Sequence, residues 1–525
     1  MTAVAREFTE AGGSAGQGVA GAGASRWWVR SEAGLRALIV AAAVLHVLVP
    51  VAVFFARFRH AYENSWLEGL VLEHVRRIGE GRPVFAAPSF DFVALIYTPL
   101  YYYAGALLGA ASGEGYATLR ALSMACSVAS MAIVGLFVRR ETGSVLCAVA
   151  SAGLFAATYK MNGFWFDLAR VDNMMLALLL AGLYLVRFGA STVAALAAGL
   201  LFGAALLTKQ TALAVVAPAV LWAIVRAPRH GVVLAMSTLA IVGAAAALWE
   251  IATDGWFGYY VFTLPSRHAI GPAMLFHAVT DLLPLPLAVG FLLGAYFLIW
   301  SWRERGAATT AFYLLVAAGA VIGSASSLAK WLAYLNALMP AHAVVSILFG
   351  LGFHALLRDA AASGGAHAQR LRLVATLAVF WQLAALFYNP LAALPQAERT
   401  QRTSAMIDAI RTIDGDVFFP IMPHLLPRAG KPGHANEMQI ADVLAHDAGE
   451  ARAGLLRDIE RTAASGRIAV VIARPEGGFL PAPAYWQAFA TRYRESAGTI
   501  PAELLSVGPA SDQPNRVFVR ASAAR

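Results

Sequence analysis

The chain has 525 residues, is 59% hydrophobic and only 14% charged, and has a mean hydropathy of +0.62. That balance excludes an ordinary soluble globular protein and points to a bilayer. The formal charge of +9 is spread over short segments, where it orients helices, so nucleic acid need not be invoked.

Residues 1–33 begin with a Gly-, Ala- and Ser-rich stretch without an apolar core, which reads as a disordered cytoplasmic tail. Apolar runs of the length needed to cross a bilayer as helix then recur near 36–55, 92–111, 119–138, 144–158, 173–188, 191–207, 211–226, 231–251, 277–300, 307–323, 332–353 and 371–393. The expected architecture is an all-α polytopic membrane bundle over 34–394, with about 11–13 transmembrane helices. Arginines at 187, 226/229, 303/305 and 358/370/372 orient the second half consistently, whereas a cytoplasmic Arg139/Arg140 conflicts with the front half. They place 253–276, 324–331 and everything after about 394 outside the cytoplasm. The front half fits only if one of 92–111, 119–138 and 144–158 fails to span, and the shortest, 144–158, is one suspect. Cys126 and Cys147 fall inside predicted helices and read as core residues rather than a disulfide or metal pair.

The first outside loop, 57–92, carries Tyr62-Glu63-Asn64-Ser65-Trp66-Leu67-Glu68-Gly69 and an amphipathic charged run to Arg82. Carboxylates at a membrane surface lose solvation and need partners, and one at the mouth of a bundle can serve as a general base. A second acidic cluster, Asp167-Leu168-Ala169-Arg170-Val171-Asp172-Asn173, opens a later helix. There Asp172 or Asn173 could cap the helix and Asp167 could pair with Arg170, or the group could wall a site. Lys209 lies between two apolar runs, where it either snorkels or meets an anionic group such as a lipid phosphate. Arg267-His268, Lys330 and Asn336 lie on outside loops, and Arg76 and Arg77 on the first-loop helix. Together these cations suggest a site for a phosphorylated lipid. His268, His277 and His342 match no ligand spacing, so no metal or other cofactor is expected, although a divalent ion is chemically possible. Tyr101–Tyr103, Trp66 and Trp331 could line sugar or polyprenyl contacts or be interfacial aromatics.

From about Pro395 the character changes: fifteen basic and fourteen acidic residues and no span-length apolar run. Helical patterns at 404–413 and 451–464 alternate with strand-like runs at 416–419, 467–473 and 516–519, which implies a small C-terminal α/β soluble domain over 395–525. No Gly-rich phosphate loop follows any of these strands, so a cap or substrate-guiding module is expected.

The ordered motifs Glu68-Gly69, Gly79-Glu80-Gly81-Arg82-Pro83, Tyr97-Thr98-Pro99-Leu100-Tyr101, Phe166-Asp167-Leu168-Ala169-Arg170-Val171-Asp172, Thr208-Lys209-Gln210-Thr211 and Asn336–Pro340 resemble the integral-membrane GT-C glycosyltransferases. This group includes the protein mannosyltransferases, the aminoarabinose transferases and family-39-like bacterial members. The resemblance covers roughly 35–393. It implies an inverting transfer of a sugar from a polyprenyl-phosphate-linked donor to an envelope glycan, lipid or protein acceptor, outside the cytoplasmic (inner) membrane of a bacterium. It also implies a first-loop base, Glu68 with Glu63 as the alternative, and a later acidic residue, Asp172. Asp167, Arg170, Lys209, Arg267, His268, Lys330, Tyr101 and Asn336 are then the expected substrate-binding residues. The competing expectation is a multi-pass transporter or lipid flippase, but the two similar halves and interrupted helices it should show are not visible.

Overall fold

The computed structural model describes residues 22–282, 287–330, 333–475, 485–496, 498–505, 507 and 516–521; Trp331 and the first part of the expected tail fall outside them. The membrane part contains α1 (Ala22–Arg57), α2 (Leu67–Gly79), α3 (Leu100–Ser112), α4 (Tyr116–Thr142), α5 (Val145–Ala157), α6 (Val171–Phe188), α7 (Thr192–Thr208), α8 (Leu213–Arg226) and α9 (Pro228–Ala252). It continues with α10 (Pro272–Leu282), α11 (Ala288–Glu304), α12 (Ala307–Leu328), α13 (Met339–Ser363) and α14 (Gly365–Ala384). Among the described residues six helices are long and apolar enough to cross a membrane, with shorter apolar helices between them. The chain is a multi-pass membrane protein. Helix α1 begins well inside the span expected to be tail.

Two apolar runs make helices of only 13 residues, α3 and α5, about 20 Å long against a hydrocarbon core of about 30 Å. Their surroundings differ. Helix α5 is wedged among α1, α4 and α13, with nearly every residue from Cys147 to Ala157 buried. Helix α3 packs mainly on the first-loop helix α2, and the residues before it run without helix. The apolar run 92–111 therefore divides into an irregular segment and a short helix. His74 fastens that segment: its Nδ1–H donates to Leu70 O and its Nε2 accepts from Leu95 N. Burial pulls this imidazole down to about 4, which keeps it neutral for both roles.

The C-terminal domain holds a four-stranded sheet, β1 (Asp416–Phe418), β2 (Ile468–Ala473), β3 (Tyr493–Glu495) and β4 (Arg516–Arg520), in the order β1-β2-β4-β3. β1 and β2 are parallel, the other pairs antiparallel. Helices α15 (Ala397–Arg411), α16 (Glu437–His446) and α17 (Glu450–Ser465) accompany it. Apolar burial joins the domain to the first loop: Phe90 stacks among Phe418, His434 and Phe489. Polar contacts reinforce the seam, with Phe90 N donating to Asp458 and Gln439 to Val93 O. The first loop, residues 256–268, Lys330 and the C-terminal domain thus meet at one end of the bundle.

Candidate active site

Two cavities open at that end. The larger, about 490 Å³, is lined by Tyr97, Trp165, Arg170, Lys209, Gln210, His268, Lys330, Asn336 and Asp442, with apolar residues between them. The smaller, about 340 Å³, is lined by Arg57, His60, Glu63, Asn64, Trp66, Arg399 and residues 392–396. Trp165 and Tyr334 belong to both walls and stack with centroids 5.7 Å apart; Trp66 meets Tyr334 edge-on at 6.2 Å. The cavities are neighbours across an aromatic partition.

The larger cavity is cationic. Lys209 follows the end of α7 in extended backbone, which turns its side chain back toward α6. Its Nζ donates to Asp172 Oδ1 at 2.6 Å, and Asn336 Nδ2 donates to the same oxygen at 2.8 Å. Arg170 is 1% exposed, lies over the rings of Tyr97 and Trp165, and donates from Nη2 to Tyr97 Oη at 3.3 Å. Asp172 Oδ2 is 3.9 Å from its Nε, too far for a hydrogen bond. Among the described residues Arg170 Nε and Nη1 have no hydrogen-bond partner. Leaving guanidinium N–H groups buried and unsatisfied costs a few kcal/mol unless a ligand accepts from them. Lys330 adds charge across the cavity and donates only weakly, to Pro265 O at 3.4 Å.

The two first-loop carboxylates differ sharply. Glu68 is fully buried at the start of α2, outside both cavity walls. Arg120 Nε and Nη2 grip its two oxygens at 2.9 and 2.7 Å, while Ala169 N and Asn64 N donate at 2.7 and 2.6 Å. The same Arg120 donates to the carbonyls of His60 and Tyr62 at 2.8 and 2.7 Å. Burial pushes Glu68 upward, but the Arg120 guanidinium and these hydrogen bonds outweigh it and hold the carboxyl below the usual range. Glu68 is the knot that ties the first loop to α4 and to residue 169. Glu63 instead reaches the smaller cavity, with its Oε2 2.9 Å from His424 Nε2 of the C-terminal domain. Burial raises Glu63 too, but His424, a backbone hydrogen bond and Arg120 together more than offset it and hold the carboxyl below the usual range. A Cβ on Gly69 would overlap the His424 ring. That glycine makes room for an imidazole.

Other residues fall apart from the cavities. Asp167 does not pair with Arg170; it binds Arg57 Nε at 2.8 Å and accepts from Tyr159 Oη at 2.7 Å, locking the 158–170 loop to α1. Neither Asp172 nor Asn173 caps α6, because Asp172 turns to Lys209 and Asn173 to Ser127 and Trp165 O. Tyr101 is buried against Ser123 and Leu119 O, away from both walls. Arg267 is partly exposed and pairs with Asp447. Arg77 binds Pro83 O and covers the Phe92 ring. His342 packs beside Asn162, 3.1 Å away, and His277 sits on exposed α10; among the described residues, of the three histidines only His268 gathers other ligand-type groups. The sequence reading missed Arg120, Arg57 and His424. An arginine one turn into an apolar helix, followed by Ser123, Ser127 and Ser130 on one stripe, was an available signal for the first.

No protein-family model and no curated protein sequence matches the chain. Solved structures do. ArnT from Cupriavidus metallidurans in the apo state aligns over 92% of this chain and 98% of its own, with TM-score 0.56 and 14% identity. The same protein bound to undecaprenyl phosphate gives 0.55 and 13% over the same shares. The archaeal oligosaccharyltransferase AglB from Archaeoglobus fulgidus, in complex with an inhibitory peptide and a dolichol-phosphate, aligns over 83% of this chain and 69% of its own, with TM-score 0.51 and 12% identity. This chain therefore shares its fold with ArnT and AglB.

Proposed function

We propose that the chain transfers a sugar from a polyprenyl-phosphate donor held in the cationic cavity to an envelope acceptor entering the Glu63 cavity. The observation that carries this reading is the convergence of three cations, Arg170, Lys209 and Lys330, on the lining of one cavity. Guanidinium and ammonium groups bind phosphate oxygens through charge-assisted hydrogen bonds. Structures of the same fold hold undecaprenyl phosphate in ArnT and dolichol-phosphate in AglB, which supports a lipid phosphate as the ligand.

In this mechanism the acceptor hydroxyl attacks the anomeric carbon as the C–O bond to the lipid phosphate breaks. Glu63 takes the hydroxyl proton, while Arg170, Lys209 and Lys330 stabilise the charge growing on the departing phosphate. No nucleotide is needed, because the lipid phosphate is the leaving group. Trp165 and Tyr334, which border both cavities, offer apolar faces as platforms for the sugar. Asp172 then orients Lys209, and Glu68 positions the first loop without touching substrate. The reading also places this end of the bundle and the C-terminal domain outside the inner membrane of a bacterium, where a reporter fused after residue 521 should be active.

The test of the function is binding of undecaprenyl phosphate to the purified detergent-solubilised protein, followed by native mass spectrometry. One lipid per chain is expected, with at least tenfold weaker binding in Arg170→Met. Equal retention by both proteins would overturn the assignment of the cationic cavity.

A further inference from the structure

We propose that His268, Asp442 and His446 form a binding site for a zinc-class transition-metal ion at the seam between the membrane bundle and the C-terminal domain. His268 follows the helical residues 256–266 of the bundle, whereas Asp442 and His446 lie four apart on α16 and so share one face of that helix. His268 Nε2 and His446 Nδ1 converge on one oxygen, Asp442 Oδ1, at 2.7 and 3.1 Å. The two imidazole rings lie 4.5 Å apart, and all three donor atoms fall within 4.8 Å of one another.

Zinc bonds of about 2.0–2.2 Å put tetrahedral ligand atoms roughly 3.3 Å from one another, so side-chain shifts of about 0.5–1.5 Å would admit the ion. Two imidazoles and one carboxylate favour zinc and its neighbours over magnesium or calcium, which prefer all-oxygen shells. Three protein ligands also leave a coordination position open. His268 and Asp442 line the larger cavity, so an ion here adds charge to the wall that carries Lys330. The site lies apart from Glu63, and its Asp442 face belongs to the domain that the sequence motifs of the bundle do not reach. This inference goes beyond the transfer reading, and its test reads metal content, so it stands or falls independently of that activity.

The experiment is elemental analysis of the full-length protein, purified in detergent without chelators and reconstituted with one equivalent of Zn²⁺ or Co²⁺ after stripping. About one ion per chain is expected, with the intense visible absorption of a four-coordinate ion in the Co²⁺ form. His446→Gln and Asp442→Asn should each lower retention at least tenfold, while size-exclusion behaviour shows that both variants remain folded. A wild-type protein that takes up neither ion would overturn the site and leave the triad as hydrogen bonds only. Undiminished binding in both variants would overturn it equally. Should a variant fail to fold, the Co²⁺ spectrum of the wild type still decides, because an octahedral, weakly absorbing spectrum excludes the proposed coordination.

Discussion

The two cavities share an aromatic wall yet are built on opposite electrostatic plans. In the cationic cavity positive groups outnumber carboxylates: Arg170, Lys209 and Lys330 stand against Asp172, which neutralises Lys209, and Asp442. In the smaller cavity a carboxylate, Glu63, faces the space and a histidine from another domain backs it. One wall waits for an anion and the other for a proton. Glu68, the acid nearest in sequence to Glu63, belongs to neither plan, because Arg120 and two backbone N–H groups occupy it completely. Burial alone therefore does not mark a functional acid. What separates the two is whether any face of the carboxylate reaches a cavity.

The largest expected effect comes from exchanging those acids. Glu63→Gln keeps shape but cannot accept the proton, so kcat should fall by about 10² or more with nearly unchanged donor binding. Glu68→Gln strips the charge from a fully buried pair and leaves Arg120 uncompensated, a cost of about 3–5 kcal/mol that should appear as a lower Tm. Sugar transfer and thermal unfolding, measured on both variants, separate the roles. A stable Glu68→Gln that has lost turnover, with an active Glu63→Gln, would reverse the assignment.

Next in size are the cations. Charge-assisted hydrogen bonds contribute about 1.5–3 kcal/mol each, so Arg170→Met should raise the KM for a polyprenyl-phosphate donor by about 10-fold to 100-fold. Lys209→Met removes a phosphate contact and also strands Asp172, buried and hydrogen-bonded only to Asn336 on that oxygen. Destabilisation should accompany the loss, and Asp172→Asn in the same chain should restore Tm but not donor affinity. Full restoration of both would make Lys209 a structural partner of Asp172 and nothing more.

How much of this was legible follows from range. Strands of the C-terminal domain showed in short β-branched runs such as Ile468–Ala473, and the apolar periods of α4 or α12 in their length. The cation set was legible because Arg170, Lys209 and Lys330 stand out against apolar surroundings. The choice between Glu63 and Glu68 was not, since it depends on Arg120 and His424, which lie 52 and 361 positions from their partners. Local pairing rules failed for the same reason at Asp167, where the long-range Arg57 displaces the neighbouring Arg170. The apolar content of 92–111 suggested a crossing, but Thr98-Pro99 delays the helix to Leu100, and His74 holds the preceding residues in an irregular path.

The smallest effect concerns His424, and it sharpens the contrast most finely because it moves a pH profile rather than abolishing a rate. Opposing influences set the pKa of Glu63: burial raises it, while His424 foremost, then a backbone hydrogen bond and Arg120, lower it. With His424 present the carboxylate stays ionised below the usual range, so the acidic limb of kcat/KM should lie below that range and the rate at neutral pH should be flat. In His424→Gln burial acts with less opposition, the proton is held more tightly, and the limb should move to higher pH. The loss at pH 7 should remain under tenfold, growing as pH falls. A purely structural role for His424 would lower the whole profile without moving its limb, and that outcome, read from kcat/KM between pH 4 and 8, would remove His424 from the mechanism. Gly69→Ala gives an independent check, since the new methyl group overlaps the same imidazole and should shift the limb in the same direction.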